Sequence, residues 1–362
     1  MNFVMSNTEG ETKAYCPELT LCIPTFNRGG LAFKNLLSIM DRLTENLVVL
    51  ILNNGSDVEL EYYAKIEEIS HKNSKIRYIS KEANTQFVGN FIDCFRFAST
   101  KYLMIMSDED EFNMDALEKL LNIFRKNPEL GGVRAGIGVK SCHEGYGNAF
   151  SRGDEIFNSG FEALHGYSLS NNYVSGILYN RAIVLELGLI DRLELNAQKY
   201  TDYPHVYLDM LISALAPMAT SSIISGFEGK PQVVLENGLA TNDSRMSVYS
   251  GMYTYGRRLD QLVVERDALF EAVNLLPNGF CSDTFYNTYL KLCVKFLKII
   301  LVANTNLYEN NSLNLVYLAD TTNTFMVGAV RDYPEFLQYS TLFVSELKRV
   351  TKVMQTAYSK KQ

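Results

Sequence analysis

Four times between Leu19 and Pro128, an apolar run of strand length gives way to a stretch with apolar residues at helical spacing. The strand-like runs are LTLCIPTF (19–26), NLVVLILNNGSD (46–57), KIRYIS (75–80) and KYLMIMS (101–107). The helical stretches that follow are GGLAFKNLLSIMDRL, VELEYYAKIEEIS, NFIDCFRFAST and MDALEKLLNIFRKNP, the last ending at Pro128. Strands that are apolar throughout and separated by helices cannot pair as hairpins. They form a parallel, doubly wound sheet with helices on both faces and right-handed crossovers.

Such a sheet binds ligands beyond the carboxyl ends of its strands. Three turns fall there: Pro24–Gly30, Asn53–Asp57 and Ser107–Glu111. The third is the most constrained. The run YLMIM ends in Ser107-Asp108-Glu109-Asp110-Glu111, so a buried strand enters a knot of like charge. Crowded carboxylates repel unless a cation or positive ligand lies among them. The competing reading is an acidic helix start, with Ser107 or Asp108 as the cap.

Beyond residue 130 the alternation loosens. ELGGVRAGIGVKS reads as a strand, 143–172 as a Gly-, Asn- and Ser-rich loop, and NNYVSGILYNRAIVLELGLID as strand then helix. YTDYPHVYLDMLISALAP reads as a helix stopped by Pro217, and from about residue 250 the pattern is helical. The expected division is a flexible 1–17, an α/β domain over 18–248 with halves 18–130 and 131–248, and a helical region over 249–362.

Composition narrows the partners. The chain of 362 residues is 47% hydrophobic, carries a net charge of −7 and has no basic block, which argues against nucleic acid. Cys16, Cys22, Cys94, Cys142, Cys281 and Cys293 form no CxxC pair, so a thiolate zinc site is unsupported and free thiols in a reducing cytoplasm are expected. The N-terminus does not read as a signal peptide, and the run Ile299–Ala303 is too short to span a bilayer. In the tail, Lys291, Lys295 and Lys298 beside apolar residues, with Lys348, Arg349, Lys352, Lys360 and Lys361, fit three arrangements. These are a helix lying peripherally on an anionic membrane, a homodimer contact, and a core-facing helix with a charged outer stripe.

Taken together, IPTFNR, NNGSD, NTQFVGN and SDED resemble, in order and spacing, the family-2 glycosyltransferases of GT-A fold. NYVSGILYNR and YPHVYLDMLIS are similar to segments of abequosyltransferase-like, O-antigen and surface-polysaccharide sugar transferases. The resemblance runs over roughly 18–245. It implies a Rossmann-like, mostly parallel α/β sheet with a helical C-terminal region. It also implies a metal-dependent inverting transfer from a nucleoside-diphosphate sugar of UDP, CDP or GDP type to a saccharide, lipid-linked where the product is a surface glycan. A cytoplasmic enzyme is expected, peripheral on the inner face of the cell membrane if the tail binds lipid.

Asp108-Glu109-Asp110 is similar to the family's DXD motif, and Mn2+ or Mg2+ takes such oxygen ligands. With residues alternating in direction, Asp108 and Asp110 would point together and Glu109 away. The resemblance gives Asp110 to the metal and Asp108 to the ribose or the metal. Pro24, Thr25, Phe26, Arg28 and Asn53 would hold the nucleoside, and Asn90 lies in a segment beneath it, with bracing of the loop as its other reading. The family commonly has Asp at the position of Asn53; an amide both donates and accepts, which opens the choice of nucleobase. Asn54-Gly55 reads as a tight turn, and Arg28 also as a solvated helix start. An inverting transfer needs a base. Asp202 stands at the expected place and also reads as an N-cap before Pro204; His205 is second, with a structural role as its alternative. Arg245, with Arg257 and Arg258, could close on a diphosphate or lie on the surface. Two rival readings are a nucleotidyltransferase, for which PTFNRGG is a poor phosphate loop, and a non-catalytic nucleotide-sugar-binding protein.

Overall fold

The structure, a computed structural model, describes residues 17–139, 153–170, 173–229, 255–307 and most of 327–352, with the pairs Val233–Val234 and Ala240–Thr241. The expected alternation is present. β1 (Leu19–Thr25), β2 (Leu47–Asn53), β3 (Ile76–Ser80) and β4 (Tyr102–Ile105) are followed by α1 (Gly29–Met40), α2 (Leu60–Lys72), α3 (Gln86–Phe97) and α4 (Leu117–Lys126). These strands lie parallel in the order β3-β2-β1-β4. Thr25, Asn53 and Ser80 stand level across the sheet, so the turns after β1, β2 and β3 leave from one edge.

The remaining strands make the sheet mixed. β5 (Glu111–Phe112), β6 (Gly132–Val139), β7 (Glu155–Phe157), β8 (Ile177–Asn180) and β9 (Met218–Glu228) extend it in the order β4-β8-β6-β9-β5, with β7 also on β9. β8 runs antiparallel to both β4 and β6, and β6 pairs parallel with β9. The sequence reading did not pick out β9: MATSSIISGFE lacks a clean alternation, and Thr220, Ser221 and Ser225 are buried.

Successive strand residues face opposite sides, so the core is split in two. Leu21, Ile23, Val49, Ile51 and Met104 pack under α1, α2 and α4. Cys22, Leu50, Leu52, Leu103 and Ile105 pack with α3 and with helices from the second half. Those helices include α5 (Phe161–Ala163), α6 (Arg181–Glu186), α7 (Leu189–Leu195), α8 (Pro204–Leu215), α9 (Tyr255–Asn274) and α10 (Ser282–Leu307). Gly188, at φ 65°, interrupts the helix expected after β8, a left-handed conformation that glycine adopts without a Cβ clash. The C-terminal helices belong to the same core, since Leu269, Phe285, Leu292 and Phe296 join its second cluster. Lys291 and Lys295 are not part of an outward basic stripe: Lys291 reaches the His165 carbonyl, and Lys295 is buried against Glu265 at 3.3 Å. Among the described residues no helix is long and apolar enough to cross a membrane.

Beneath the second half lies a buried ion pair. Arg134 on β6 bonds Asp209 on α8 and donates from Nη1 to the Tyr173 carbonyl at 3.0 Å. Removing one member of such a pair strands a buried charge. Arg134→Met should lower unfolding free energy by about 3–5 kcal/mol in urea titrations, and Arg134→Met with Asp209→Leu should recover most of that loss.

Candidate active site at the carboxyl edge of the sheet

The turns at the strand ends are tied to one another. The backbone N–H of Asn27 donates to the Ser56 hydroxyl at 2.8 Å, and the Asn27 side chain accepts from the backbone of Asp57 at 2.9 Å. Asn27 sits at φ 55°, a left-handed position that Asn tolerates better than most residues. Asn54 joins the turn after β2 to that after β3, donating to Asn84 at 2.8 Å and accepting from the Thr85 backbone at 3.1 Å. Gly55 has φ 73°, as the expected tight turn requires, and a Cβ there would lie 2.5 Å from the Ala83 carbonyl carbon. Asn90 is buried and reaches the Leu52 carbonyl at 3.4 Å, so it braces the end of β2 from α3.

The acid knot is a turn, not a continued strand, with the Asp110 N–H donating to the Ser107 carbonyl at 3.0 Å. Period-two alternation therefore does not apply, and the expected facing pair of Asp108 and Asp110 is replaced by a different grouping. Asp108 and Glu109 share Arg28: its Nη2 lies 2.9 Å from Asp108 Oδ1 and its Nη1 2.9 Å from Glu109 Oε2. Asp110 turns elsewhere. Tyr173 Oη donates to its carboxylate at 2.9 Å, Ser175 Oγ at 2.6 Å and the Gly229 N–H at 2.9 Å. Glu111 begins β5 and pairs with Phe227 of β9. The helix-start reading does not hold either. Asn113 is the cap, accepting from the Asp115 N–H at 3.2 Å.

Both aspartates are 1% exposed. Burial raises the pKa of Asp108, opposed by Arg28 and the Thr25 hydroxyl, yet neither of its oxygens accepts a well-aligned hydrogen bond. Burial also raises Asp110, opposed by Ser175, Gly229 and Tyr173. Burial alone would depress Arg28, but Asp108 and Glu109 outweigh it and hold the guanidinium above its usual value. The chemistry of the donor set decides where a divalent cation fits. Asp108 has buried oxygens without aligned donors, and Glu109 lies beside it, so these two fit one. Asp110 does not fit as arranged, because its oxygens are taken by protein donors. Among the described residues no cluster of three or more His, Cys, Asp or Glu has metal-binding geometry.

Asn53 is buried and largely occupied. Its Nδ2 donates to Tyr78 Oη at 3.1 Å and Ser80 Oγ at 3.2 Å, and its Oδ1 accepts from the Ser56 N–H at 3.1 Å. A backbone N–H only donates, which fixes the amide's orientation. Pro24 and Phe26 are half-buried at the end of β1, and Thr25 Oγ1 meets Tyr63 Oη at 3.0 Å. Gly29 and Gly30 belong to α1, not to a phosphate-binding loop: the Gly30 N–H is taken by Glu59 Oε2 at 2.7 Å.

Asp202 is exposed just before α8 and does not cap it; Tyr203 holds the cap position, with Pro204 in the first turn. His205 is 2% exposed and lies among the rings of Phe87, Phe91 and Tyr203. That contact sets the start of α8 over the start of α3, near the turn that Asn54 holds. Asp202 opens on a cavity of about 200 Å3 between α8 and α9, lined also by Lys199, Tyr203, Asp260, Gln261 and Glu265. No local pattern marks this cavity, because its walls come from segments about 60 residues apart. Arg245 lies outside the described residues; Arg257 and Arg258 fall in the first turn of α9.

Residues 20–188 match the family described as Glycosyl transferase family 2. That stretch is similar to a family-2 glycosyltransferase domain. It spans β1 through α6 and includes the acid turn together with Tyr173 and Ser175. A curated relative, an uncharacterized glycosyltransferase of Haemophilus influenzae, is 28% identical over 119 residues, 32% of this chain; the match spans 35% of that relative's length. Among solved structures, the mannosyltransferase PcManGT of Pyrobaculum calidifontis, in complex with GDP-Man and Mn2+, is 14% identical at a TM-score of 0.49 over 93% of this chain and 87% of that one. TarS 1–349 of S. aureus with UDP-GlcNAc is 12% identical at 0.47, over 94% and 92%.

The three donors on Asp110 generate a prediction. Hydrogen bonds to a buried charge contribute more than neutral ones, so Ser175→Ala and Tyr173→Phe should each lower unfolding free energy by about 1.5–3 kcal/mol. In an Asp110→Asn background both effects should shrink, as a double-mutant cycle in urea would read.

Proposed function

We propose that the protein transfers a sugar from a nucleoside-diphosphate donor to a saccharide hydroxyl with inversion, using a divalent cation. The observation that carries this reading is the buried Asp108 carboxylate, without aligned hydrogen bonds, at the ligand edge of a sheet whose sequence matches a glycosyltransferase family. Asp108 and Glu109 would hold Mn2+ or Mg2+, which supplies positive charge to the leaving diphosphate. Asp110 positions the turn rather than contributing a ligand. Pro24, Thr25 and Phe26 would flank the nucleoside, and Asn90 supports it from below.

Asn53 bears on the nucleobase. With both donor hydrogens engaged and one oxygen lone pair left, it can only accept. An acceptor suits the imide N3–H of uracil or the lactam N1–H of guanine and opposes the bare N3 of cytosine, which favours UDP or GDP donors over CDP. Asp202 is our candidate base: exposed, beside a cavity of about 200 Å3 whose walls mix charged side chains with Tyr200, Tyr203 and Tyr207, it could take the acceptor hydroxyl's proton on a carboxylate oxygen. His205 is too enclosed by rings to meet a substrate directly. A surface glycan, lipid-linked during assembly, is the acceptor class that the sequence resemblance favours. The occupied N-terminus of α1 counts against a nucleotidyltransferase, which would need those backbone N–H groups for phosphate.

Thermal unfolding with Mn2+ and each nucleoside diphosphate tests the reading. UDP or GDP should raise the melting temperature, CDP less, and Asp108→Asn should abolish the shift; no shift with any of them rejects the donor site. Asp202→Asn should keep the nucleotide shift and lower transfer by about 100-fold or more, the usual contribution of a general base. Undiminished transfer would remove Asp202 from that role.

A further inference from the structure

We propose that Arg28 is the resident counter-cation of the acid turn, and that its transfer to the donor's phosphates opens Asp108 and Glu109 to the divalent cation. Metal and nucleotide would then bind as a coupled pair. The inference rests on the donor-site reading above and adds an order of events to it.

The geometry is that of an exchange. Arg28 places one guanidinium nitrogen on each of two adjacent carboxylates, both at 2.9 Å. A divalent cation ligated by the same oxygens would sit within a few ångströms of the guanidinium. Two like charges that close, in a partly buried site, exclude one another. The acids therefore hold Arg28 or the metal, and the two states differ in which cation they face.

Asp108 makes an intermediate without a cation unfavourable. It is buried and lacks aligned hydrogen bonds, so removing Arg28 leaves a charge that only the Thr25 hydroxyl and the local backbone offset. Asp110 differs: three donors hold it, and no cation is required. On the other side of the exchange, only the side chain of Arg28 needs to move. Its backbone N–H is fixed by Tyr63 Oη at 3.1 Å, and its carbonyl accepts from the Ala32 N–H at 3.1 Å. The side chain is 23% exposed, and a guanidinium fork matches phosphate oxygens as well as carboxylates. A nucleoside diphosphate that draws Arg28 off the turn raises metal affinity, and by linkage the metal raises nucleotide affinity equally.

The test is a titration of the full chain with Mn2+ alone, following the free ion by electron spin resonance. Arg28→Met should bind Mn2+ at least about tenfold more tightly than wild type, since close charge pairs at buried sites couple by that much or more. Affinity equal to or weaker than wild type overturns the proposal. If Arg28→Met does not fold without metal, Arg28→Gln serves. Its neutral amide can still donate to a carboxylate but carries no charge to exclude the ion, so Mn2+ affinity should still rise, and no rise overturns the proposal. Arg28→Met with Asp108→Asn should lose the gain; a gain that persists places the ion elsewhere and also overturns it. These comparisons contain no nucleotide. They therefore read Arg28 separately from the donor site, whose own failure would appear as wild-type protein that no nucleoside diphosphate stabilises.

Discussion

A single buried carboxylate fastens three distant parts of the chain. Asp110 lies in the turn after β4 and takes hydrogen bonds from Tyr173 and Ser175, which lead into β8, and from Gly229, just past β9. The anchoring continues downward. Tyr173 offers its carbonyl to Arg134, which is paired with Asp209 on α8. Thus a line of charge-assisted contacts runs from the ligand edge to the helix that begins beside Asp202. A charge in low dielectric is costly when unpaired and strongly directional when paired, and that is why one residue can fix so much backbone.

The acid turn itself balances opposing demands. Asp108, Glu109 and Asp110 crowd together, and each is compensated differently: Asp108 by a guanidinium, Glu109 by the same guanidinium and by solvent, Asp110 by dipoles. Only the first two remain open to exchange with another cation. In sequence the motif pairs Asp108 with Asp110, and the ion pair and hydrogen bonds group Asp108 with Glu109 instead.

Much of the first half of the sheet is legible in sequence because its information is local. β1 through β4 and their helices follow from hydrophobic period, and the glycine of Asn54-Gly55 follows from turn chemistry. The grouping of the acids is not legible, because Tyr173, Ser175 and Gly229 stand 63, 65 and 119 residues from Asp110. Arg28 could be named as a nucleotide contact but not as the partner of Asp108 and Glu109, since an ion pair between two turns depends on the register of β1 beside β4. The cap reading of Asp202 failed for a smaller reason. Pro204 sets the first helical residue, and the preceding position belongs to Tyr203. β9 escaped notice because Thr220, Ser221 and Ser225 are buried and hydrogen-bonded rather than exposed by alternation.

The close approach of Gly229 to the acid turn bears on how the protein is made. A Cβ on Gly229 would lie 1.7 Å from the Glu109 carbonyl oxygen, so the backbone after β9 presses directly on that turn. During synthesis the four parallel strands emerge first, and their contacts are mostly between neighbours in the chain. Asp110 nevertheless has to wait for Gly229, 119 residues downstream, before its last donor arrives. The acid turn therefore reaches its full set of hydrogen bonds only when the residue after β9 is in place.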